Sequence, residues 1–259
     1  MPSLLKCKIA YNKKIAEGIF LLGLKAPRKL HLAPGQFFMV RVREGLDPLL
    51  GRPLDWFDYF PQKNLLEFVY QKVGRGTSLL SERKPDEAIT ILGPLGKGLP
   101  RKVPSRLLLV AGGVGLPGLG HFCQTAQTCG LTLVWGAKSK NRFFLRARIP
   151  GSVNLILVTE DGSLGKKGLA ADAVKNLLED GYRPGLIYAC GPQPMLKAIS
   201  RIAMSYKIPG KVLYTERMAC GVGACLGCAV PAAKGGYLRA CSDGPAFDFA
   251  EIDWERVKC

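Results

Sequence analysis

The chain has 259 residues, of which 47% are hydrophobic and 22% are charged, and its formal net charge at pH 7 is +17. The length exceeds that of an average domain, and the composition is that of a globular protein rather than a disordered one. No apolar run is long enough for a secretory signal or a membrane span, so we expect a cytoplasmic protein with reduced cysteines.

The positive charge is scattered in twos and threes, with one denser stretch at residues 138–148. No homeodomain, zinc-finger or RNA-binding motif accompanies it, so the sequence gives little support to nucleic-acid binding. A solvated basic surface is the simplest interpretation, and anionic cofactors or an acidic partner are the other ligands that such charge attracts.

The first 100 residues have the pattern of a small β protein. Four short segments there are rich in β-branched and aromatic residues and are bounded by glycine or proline, namely 19–26, 36–42, 65–73 and 88–94. Because no helical pattern separates them, we predict an antiparallel β-barrel over residues 1–100.

Strands and helices alternate over residues 101–213. Strands are predicted at 106–113, 131–138, 153–160 and 185–192, and helices at 119–130, 141–148, 168–180 and 193–207. This alternation is typical of a Rossmann-like α/β domain with a parallel, doubly wound sheet. Residues 214–259 form a third section that is too short for a core of its own, and we expect a metal centre to stabilise it.

Two glycine-containing loops follow predicted strands of the α/β section. Gly112, Gly113 and Gly115 come after one strand and open a helix, while Cys190 and Gly191 end another strand. Glycine lets the backbone approach a pyrophosphate, and a helix N-terminus presents free N–H groups to it. The loops predict a dinucleotide site at the carboxyl ends of the strands, although a tight turn without a ligand has the same local pattern.

The predicted barrel carries two further phosphate-binding features. Arg52 stands beside Pro53, and a guanidinium on a backbone fixed by proline suits contact with a phosphate. Gly76 and Thr77 add a glycine turn with a hydroxyl. Each feature alone is more often an ordinary turn or a surface charge than a phosphate site.

Four of the nine cysteines cluster near the C-terminus. Cys220, Cys225, Cys228 and Cys241 have the spacing C-x4-C-x2-C followed by a distant fourth cysteine, which is the plant-type [2Fe–2S] pattern. Structural zinc sites usually have two C-x2-4-C pairs, often with histidine, and a redox dithiol would need only two of these cysteines. The spacing therefore favours a [2Fe–2S] cluster over zinc or a dithiol. We interpret four other cysteines as ordinary buried or surface thiols, namely Cys7, Cys123, Cys129 and Cys259.

The order of the motifs resembles one known family. The chain carries GRPL at 51–54, VGRGT at 73–77, GPLGKGL at 93–99, GGVGLP at 112–117, TEDGSLGKKG at 159–168, CGPQPML at 190–196, ERMACGVGACLGC at 216–228 and DGPAFD at 243–248. This order is similar to that of the electron-transfer subunits of NAD-linked (type B) dihydroorotate dehydrogenase, in the ferredoxin reductase-like superfamily. The resemblance covers almost the whole chain, and the cysteine segment is its most specific part.

The resemblance implies an FAD-binding barrel, a Rossmann-like NAD domain and a [2Fe–2S] domain at residues 214–259. The FAD residues that it implies are Arg52, Pro53, Leu54, Asp55, Val69, Tyr70, Gln71, Gly76 and Thr77. The NAD residues are Gly112, Gly113, Gly115, Asp161, Cys190 and Gly191. The cluster ligands are Cys220, Cys225, Cys228 and Cys241.

The same resemblance implies a role in pyrimidine biosynthesis. Electrons from dihydroorotate oxidation at the FMN of a separate catalytic subunit would pass through the cluster and FAD to NAD⁺, in a heterotetramer with two copies of each subunit. The sequence agrees in having no Ser/His/Asp constellation of its own. The alternatives are the homologous reductase subunit of another NAD(P)-linked complex, ferredoxin- or sulfur-linked, and a basic zinc-stabilised binding protein without catalysis.

Three features differ from the family pattern or leave the cofactor open. Relatives usually have Ser or Thr where this chain has Asp55, and an ionised carboxylate can only accept a hydrogen bond. We therefore expect Asp55 either to turn away from the flavin or to lower its potential. Gly118 stands where relatives often have a proline. Lys138 and Lys140 follow the second α/β strand and suit a 2′-phosphate, but the family favours NAD over NADP, and we follow it.

Overall fold

The computed structural model describes residues 2–125 and 130–257. Two of the cysteines interpreted as ordinary thiols, Cys129 and Cys259, lie outside the described residues, while Cys7 and Cys123 are buried. No helix in the described part of the chain is both long and apolar enough to span a membrane.

The N-terminal part folds into a closed antiparallel barrel, as predicted. Its strands are β1 (Ser3–Ala16), β2 (Ile19–Lys25), β3 (Phe37–Arg41), β4 (Arg52–Phe60), β5 (Leu65–Gln71) and β6 (Ala88–Leu95). They close in the order β1-β2-β5-β4-β3-β6. The sequence analysis missed β1 and β4, and also the helix α1 (Arg75–Glu82), which lies between β5 and β6.

The second sheet has seven strands and is mainly parallel, as predicted. Its parallel strands are β7 (Leu107–Gly112), β8 (Thr132–Ala137), β9 (Asn154–Thr159), β10 (Lys166–Lys167), β11 (Leu186–Cys190) and β12 (Gly210–Leu213). The helices are α2 (Leu116–Thr125), α3 (Ala170–Glu179) and α4 (Gln193–Ser205). Every residue of β7 from 107 to 111 is buried, as expected of a central parallel strand covered on both faces.

The last section packs against this sheet. It contains the strands β13 (Ala229–Pro231), β14 (Tyr237–Arg239) and β15 (Ala246–Asp248). The first two form a hairpin, and β15 adds antiparallel to β12, so the sheet order is β10-β9-β8-β7-β11-β12-β15. Val230, Phe247 and Trp254 belong to the same hydrophobic cluster as Val212 and Tyr214 of the sheet region. The last section thus shares the core of its neighbour.

The helix predicted at 141–148 is wrong. The segment forms two short 3-10 turns, at Lys140–Arg142 and Arg146–Arg148. Phe143 and Phe144 both pack edge-on against Trp135, with ring centroids 4.8 and 5.0 Å from the indole. Adjacent residues of an α-helix point roughly 100° apart. Both rings therefore reach the same indole only if the helix does not form.

A buried ion pair joins this segment to the barrel. Glu67 on β5 is fully buried, and its carboxylate accepts hydrogen bonds from the Tyr11 hydroxyl and the Arg148 guanidinium, the latter at 3.1 Å from Nη2 to Oε1. The hydrogen bond that Arg148 donates to Glu67 raises the pKa of Arg148. Arg142 also donates to the carbonyl oxygen of Glu17 at 3.1 Å. Part of the basic stretch at 138–148 therefore holds the sheet against the barrel.

Arg148→Met should destabilise the chain strongly, because it leaves the buried Glu67 carboxylate without its cationic partner. We expect the free energy of unfolding to fall by about 3 kcal/mol. Arg146→Met is the matched control, since Arg146 lies in the same turn but is exposed. Urea denaturation of both variants measures the difference, and equal stabilities would contradict a structural role for this ion pair.

Candidate functional site

A cleft of about 770 Å³ lies between the barrel and the carboxyl ends of the parallel strands. Its volume is in the usual range of ligand and cofactor pockets. The predicted FAD residues that line it are Arg52, Pro53, Leu54, Asp55, Val69, Tyr70, Gln71 and Thr77. The predicted NAD residues that line it are Gly112, Gly113, Gly115, Cys190 and Gly191. The structure therefore brings most of both predicted sets to one cleft, with Gly76 and Asp161 as the exceptions.

Gly76 lies behind the barrel wall and has a steric role. A Cβ at this position would overlap the guanidinium of Arg52, so glycine lets that side chain lie across the start of α1. Thr77 holds the preceding loop in place, because its hydroxyl accepts hydrogen bonds from the N–H groups of Val73 at 2.9 Å and Gly74 at 3.1 Å. Arg52 itself begins strand β4, so its guanidinium extends from regular backbone, which suits a phosphate ligand.

The sheet wall of the cleft is formed by the loops that follow β7 and β11, and these two loops touch each other. A Cβ at Gly115 would overlap the carbonyl oxygen of Cys190, so only glycine permits this approach. The indole N–H of Trp135 donates to the carbonyl oxygen of Gly113 at 3.0 Å and fixes the first loop from below. The loop before α2 is therefore held rigidly at the cleft, and the first turn of α2 leaves backbone N–H groups without partners in the helix.

Asp161, a predicted NAD residue, does not line the cleft. Its carboxylate accepts hydrogen bonds from the backbone N–H of Ser163 at 2.9 Å and from its hydroxyl at 2.6 Å, which closes a local turn. The neighbouring Glu160 lines the cleft instead, together with Lys138 and Arg142. The sequence analysis did not single out Glu160 or Arg142, and the end of β9 at Thr159 was the only signal for the former.

Asp55 occupies the point where the barrel wall meets the sheet wall. Its Oδ2 lies 4.0 Å from Sγ of Cys190. Desolvation in these surroundings raises the pKa of Asp55 to about 6, and it also raises the pKa of Cys190. A Cβ at Gly118 would lie 3.2 Å from this Oδ2 and 3.3 Å from this Sγ. Glycine at 118 therefore leaves room for the carboxyl and the thiol together.

The segment that leads to the cysteines borders a second cavity of about 700 Å³. This cavity shares Arg52, Pro53 and Thr215 with the cleft. Glu216 is fixed here, because Oε1 accepts hydrogen bonds from Gln193 at 2.9 Å and from the hydroxyl of Tyr214 at 3.2 Å. The start of α4 thus holds the segment beside the barrel residues assigned to FAD.

The four predicted ligand cysteines fall into two pairs. The Sγ atoms of Cys228 and Cys241 lie 3.3 Å apart, and the side chains of Cys220 and Cys225 contact each other. Cys228 and Cys241 are buried, whereas Cys225 is exposed. Within the described residues, no three or more His, Cys, Asp or Glu side chains converge as they would around a single metal ion.

Backbone N–H groups of the loop point at the sulfurs. Cys220 Sγ accepts from the N–H of Val222 at 3.4 Å and of Cys225 at 3.5 Å, and Cys241 Sγ accepts from Gly223 at 3.1 Å. Such donors stabilise thiolates bound to iron. Each iron of a two-iron cluster takes two thiolates, so two sulfur pairs with N–H donors fit that cluster better than a single zinc ion.

The cysteine loop is held on both sides. Arg239 on β14 forms a bidentate pair with Asp243, at 3.0 Å for both contacts, and approaches the carbonyl oxygen of Gly223 at 3.5 Å. On the other side Gly221 packs on the barrel, where a Cβ would lie 2.7 Å from Cγ of Met39. The sulfur pairs are therefore fixed relative to strand β3.

Comparison with known proteins assigns this arrangement to a family. Residues 215–253 match the model of the iron–sulfur cluster binding domain of dihydroorotate dehydrogenase B. The electron transfer subunit of dihydroorotate dehydrogenase B (NAD(+)) from Desulforamulus reducens is 35% identical, over 98% of this chain and the whole of that protein. This chain belongs to that family. The corresponding subunit from Geobacillus sp. is 37% identical over 94% of this chain and 96% of its own length.

Solved structures agree with this membership. The structure of an NADH-dependent reduced ferredoxin-NADP oxidoreductase matches with a TM-score of 0.86 and 30% identity, over 96% of this chain and 90% of that one. The ferredoxin reductase of carbazole 1,9a-dioxygenase matches with a TM-score of 0.69 and 20% identity, over 79% of this chain and 66% of that one, which shows a common fold. The family therefore has the ferredoxin reductase-like architecture that the sequence predicted.

Asp55→Asn should change the dependence of stability on pH. The pKa of Asp55 is about 6 in the folded chain and 3.8 in the unfolded chain. Asp55 therefore favours folding most at a pH below 3.8, where it is protonated in both the folded and the unfolded chain. The wild type loses up to about 3 kcal/mol as the pH rises from 4 through 6, and asparagine removes this loss. The variant should therefore gain on the wild type between pH 4 and pH 7 in urea denaturation.

Asp161→Asn is the control for this experiment. Hydrogen bonds from Ser163 lower the pKa of Asp161, so its carboxylate stabilises the folded chain above its unfolded pKa. The control variant should not gain on the wild type as the pH rises. If Asp55→Asn also showed no gain, Asp55 would not be desolvated in solution.

Proposed function

We propose that this chain transfers electrons between a dihydroorotate-oxidising partner and NAD⁺, through a [2Fe–2S] cluster in the cysteine loop and FAD in the cleft. The continuity of the three sites carries the proposal. Gly221 packs on Met39, Met39 pairs with Pro53 in the β3–β4 ladder, and the cleft extends from Pro53 to Cys190. The cysteine pairs and the sheet wall thus lie at opposite ends of one path.

In this proposal residues 1–100 bind FAD, residues 101–213 bind NAD, and residues 214–259 bind the cluster. The relatives that share 34–37% identity over most of the chain are named as electron transfer subunits of the NAD(+)-linked enzyme, which supports the division. FAD, when bound, exchanges a hydride with nicotinamide and single electrons with an iron–sulfur centre.

The chain's own residues bind and orient these groups. Arg52, lying over Gly76, neutralises a phosphate on the barrel side. Gly112 to Gly115 and the start of α2 accept the pyrophosphate of the second dinucleotide on the sheet side. The apolar walls, among them Val69 and Leu54, exclude water from the region between the two cofactors.

The family name implies a catalytic partner subunit, and we propose that this partner contains FMN and assembles with two copies of each chain. The exposed side of the cysteine loop suits its docking. Val222 and Leu226 are 50% and 63% exposed beside the exposed Cys225. Exposed apolar side chains around an electron-transfer centre are typical of a protein interface.

Cys225→Ser tests the cluster assignment. Loss of one ligand should lower the iron content and reduce electron arrival from the partner by at least about 100-fold, since even outer contacts of metal sites matter by about 10- to 100-fold. NADH oxidation by artificial acceptors at the FAD should persist. Val222→Ser, in the same loop, is the matched control and should keep its iron. If Cys225→Ser lost FAD together with the cluster, the cysteine loop would be needed mainly to stabilise the fold, and its role in electron transfer would not be supported.

Leu226→Asp tests the docking surface. A charge at this exposed position should weaken binding of the FMN subunit by at least about 10-fold, because burying an unpaired carboxylate opposes docking. Leu4→Asp, which is exposed on the barrel strand β1, should leave binding unchanged. Titration calorimetry or co-purification measures both variants, and equal binding would exclude this part of the loop from the interface.

One observation favours a second candidate function. The ferredoxin-NADP oxidoreductase structure covers 96% of this chain at 30% identity, so the same module serves another complex. Co-purification of an FMN protein with dihydroorotate-oxidising activity supports the first candidate, and capture of a ferredoxin-linked partner supports the second.

A further inference from the structure

The cleft has one point at which its two walls come together. If FAD lies on the barrel wall and the nicotinamide dinucleotide on the sheet wall, as in the proposed function on which this inference rests, the two redox rings must meet there. That point is the 4.0 Å approach of Asp55 Oδ2 to Cys190 Sγ. Asp55 therefore stands where a hydride is exchanged.

We propose that Asp55 is the proton-accepting residue of hydride exchange, taking a proton from solvent when the cleft gains a hydride and releasing it when the hydride leaves. Only two carboxylates, Asp55 and Glu160, line the cleft among the described residues. Glu160 follows β9, which stands three strand positions from β11, or roughly 14 Å at the usual strand spacing. Asp55 is thus the carboxylate at the meeting point.

The groups that face Asp55 leave its charge uncompensated. On β11 the facing group is the Cys190 thiol, on β12 the neighbour Leu213 is apolar, and on β3 the paired residue is Phe37. The titratable groups of α2 are His121 and Cys123. The His121 ring packs at a tilt against Trp56, and its pKa is lowered by desolvation and by Arg101, while burial raises the pKa of the Cys123 thiol. Arg52 begins the same strand as Asp55, and its Nη1 donates to the carbonyl oxygen of Leu50.

The proton and electron balance follows from these surroundings. A hydride carries two electrons and one proton, so its transfer would leave one positive charge on the oxidised nicotinamide and one negative charge on the flavin side. When the oxidised nicotinamide dissociates, the negative charge would remain beside Asp55. A nearby carboxylate is then disfavoured by like charge, and its pKa rises further. Asp55, with a resting pKa of about 6, is largely ionised at pH 7 and takes up one proton from solvent. In the opposite direction the same proton returns to solvent.

Gly118 provides space for the Asp55 carboxyl. A side chain at 118 would bring a Cβ within 3.2 Å of the Asp55 carboxyl and 2.7 Å of Cδ1 of Leu213. Asp55 and Gly118 are therefore close neighbours where the barrel meets the sheet domain. Glycine at 118 leaves room for the titratable carboxyl of Asp55.

The test is a spectroelectrochemical titration of the FAD in the cluster-loaded subunit between pH 5 and pH 9. Above pH 6, wild-type reduction should take up nearly one proton more per electron pair than reduction of Asp55→Asn. The flavin potential of the wild type should accordingly fall more steeply with pH. A pH-indicator dye, recording proton uptake after anaerobic addition of NADH, gives the same count independently of any activity.

Two further variants complete the experiment. Asp58→Asn removes a half-buried carboxylate on the same strand but outside the cleft, and it should keep the wild-type proton count. Asp55→Ser puts a hydroxyl that does not ionise in this pH range in place of the carboxyl, and it replaces Asp55→Asn if that variant does not fold. Equal proton counts in wild type and the Asp55 variants overturn this inference alone. A subunit that binds neither FAD nor NADH overturns the proposed function as well.

Discussion

Burial of apolar side chains between the barrel and the parallel sheet is the constraint on which the rest of the structure depends. Phe57 and Val69 of the barrel belong to one hydrophobic cluster with Leu109 and Trp135 of the sheet. The fully buried Glu67 carboxylate, paired with a guanidinium from the sheet side, admits few relative positions of the two parts. The cleft lies at the edge of this contact. The packing of the core therefore determines the shape of the cleft.

The same contact between barrel and sheet fixes the relative positions of the proposed cofactor sites. The features that we propose bind phosphate lie on opposite walls, because one comes from strand β4 and the other from the loops after β7 and β11. The cysteine loop is tied to both parts, through Met39 on one side and through β15 on the other. Electron transfer between cofactors depends on fixed distances between them more than on catalytic side chains. A core shared by all three parts keeps those distances constant.

The sequence predicted those features that depend on local pattern. The buried runs of β7, β8 and β11, the glycine loops and the cysteine spacing are each readable over a few residues. Strand β1 was also readable, since Leu5, Cys7 and Ile9 alternate with exposed residues, but it was overlooked. Features that depend on distant partners were not predictable. The turns around Phe143 require Trp135, and the roles of Asp161 and Glu160 depend on which of two adjacent carboxylates faces the cleft.

The shared core also limits how such a chain can be recombined. The last section places Val230, Phe247 and Cys228 in the same cluster as Val212, Ala189 and Met39. A chimera that received this section alone from a relative would have to match packing surfaces on two foreign parts at once. Gene shuffling among such reductases should therefore preserve the barrel, the sheet and the cysteine section as one inherited block, and new partners should arise by change of exposed loop residues.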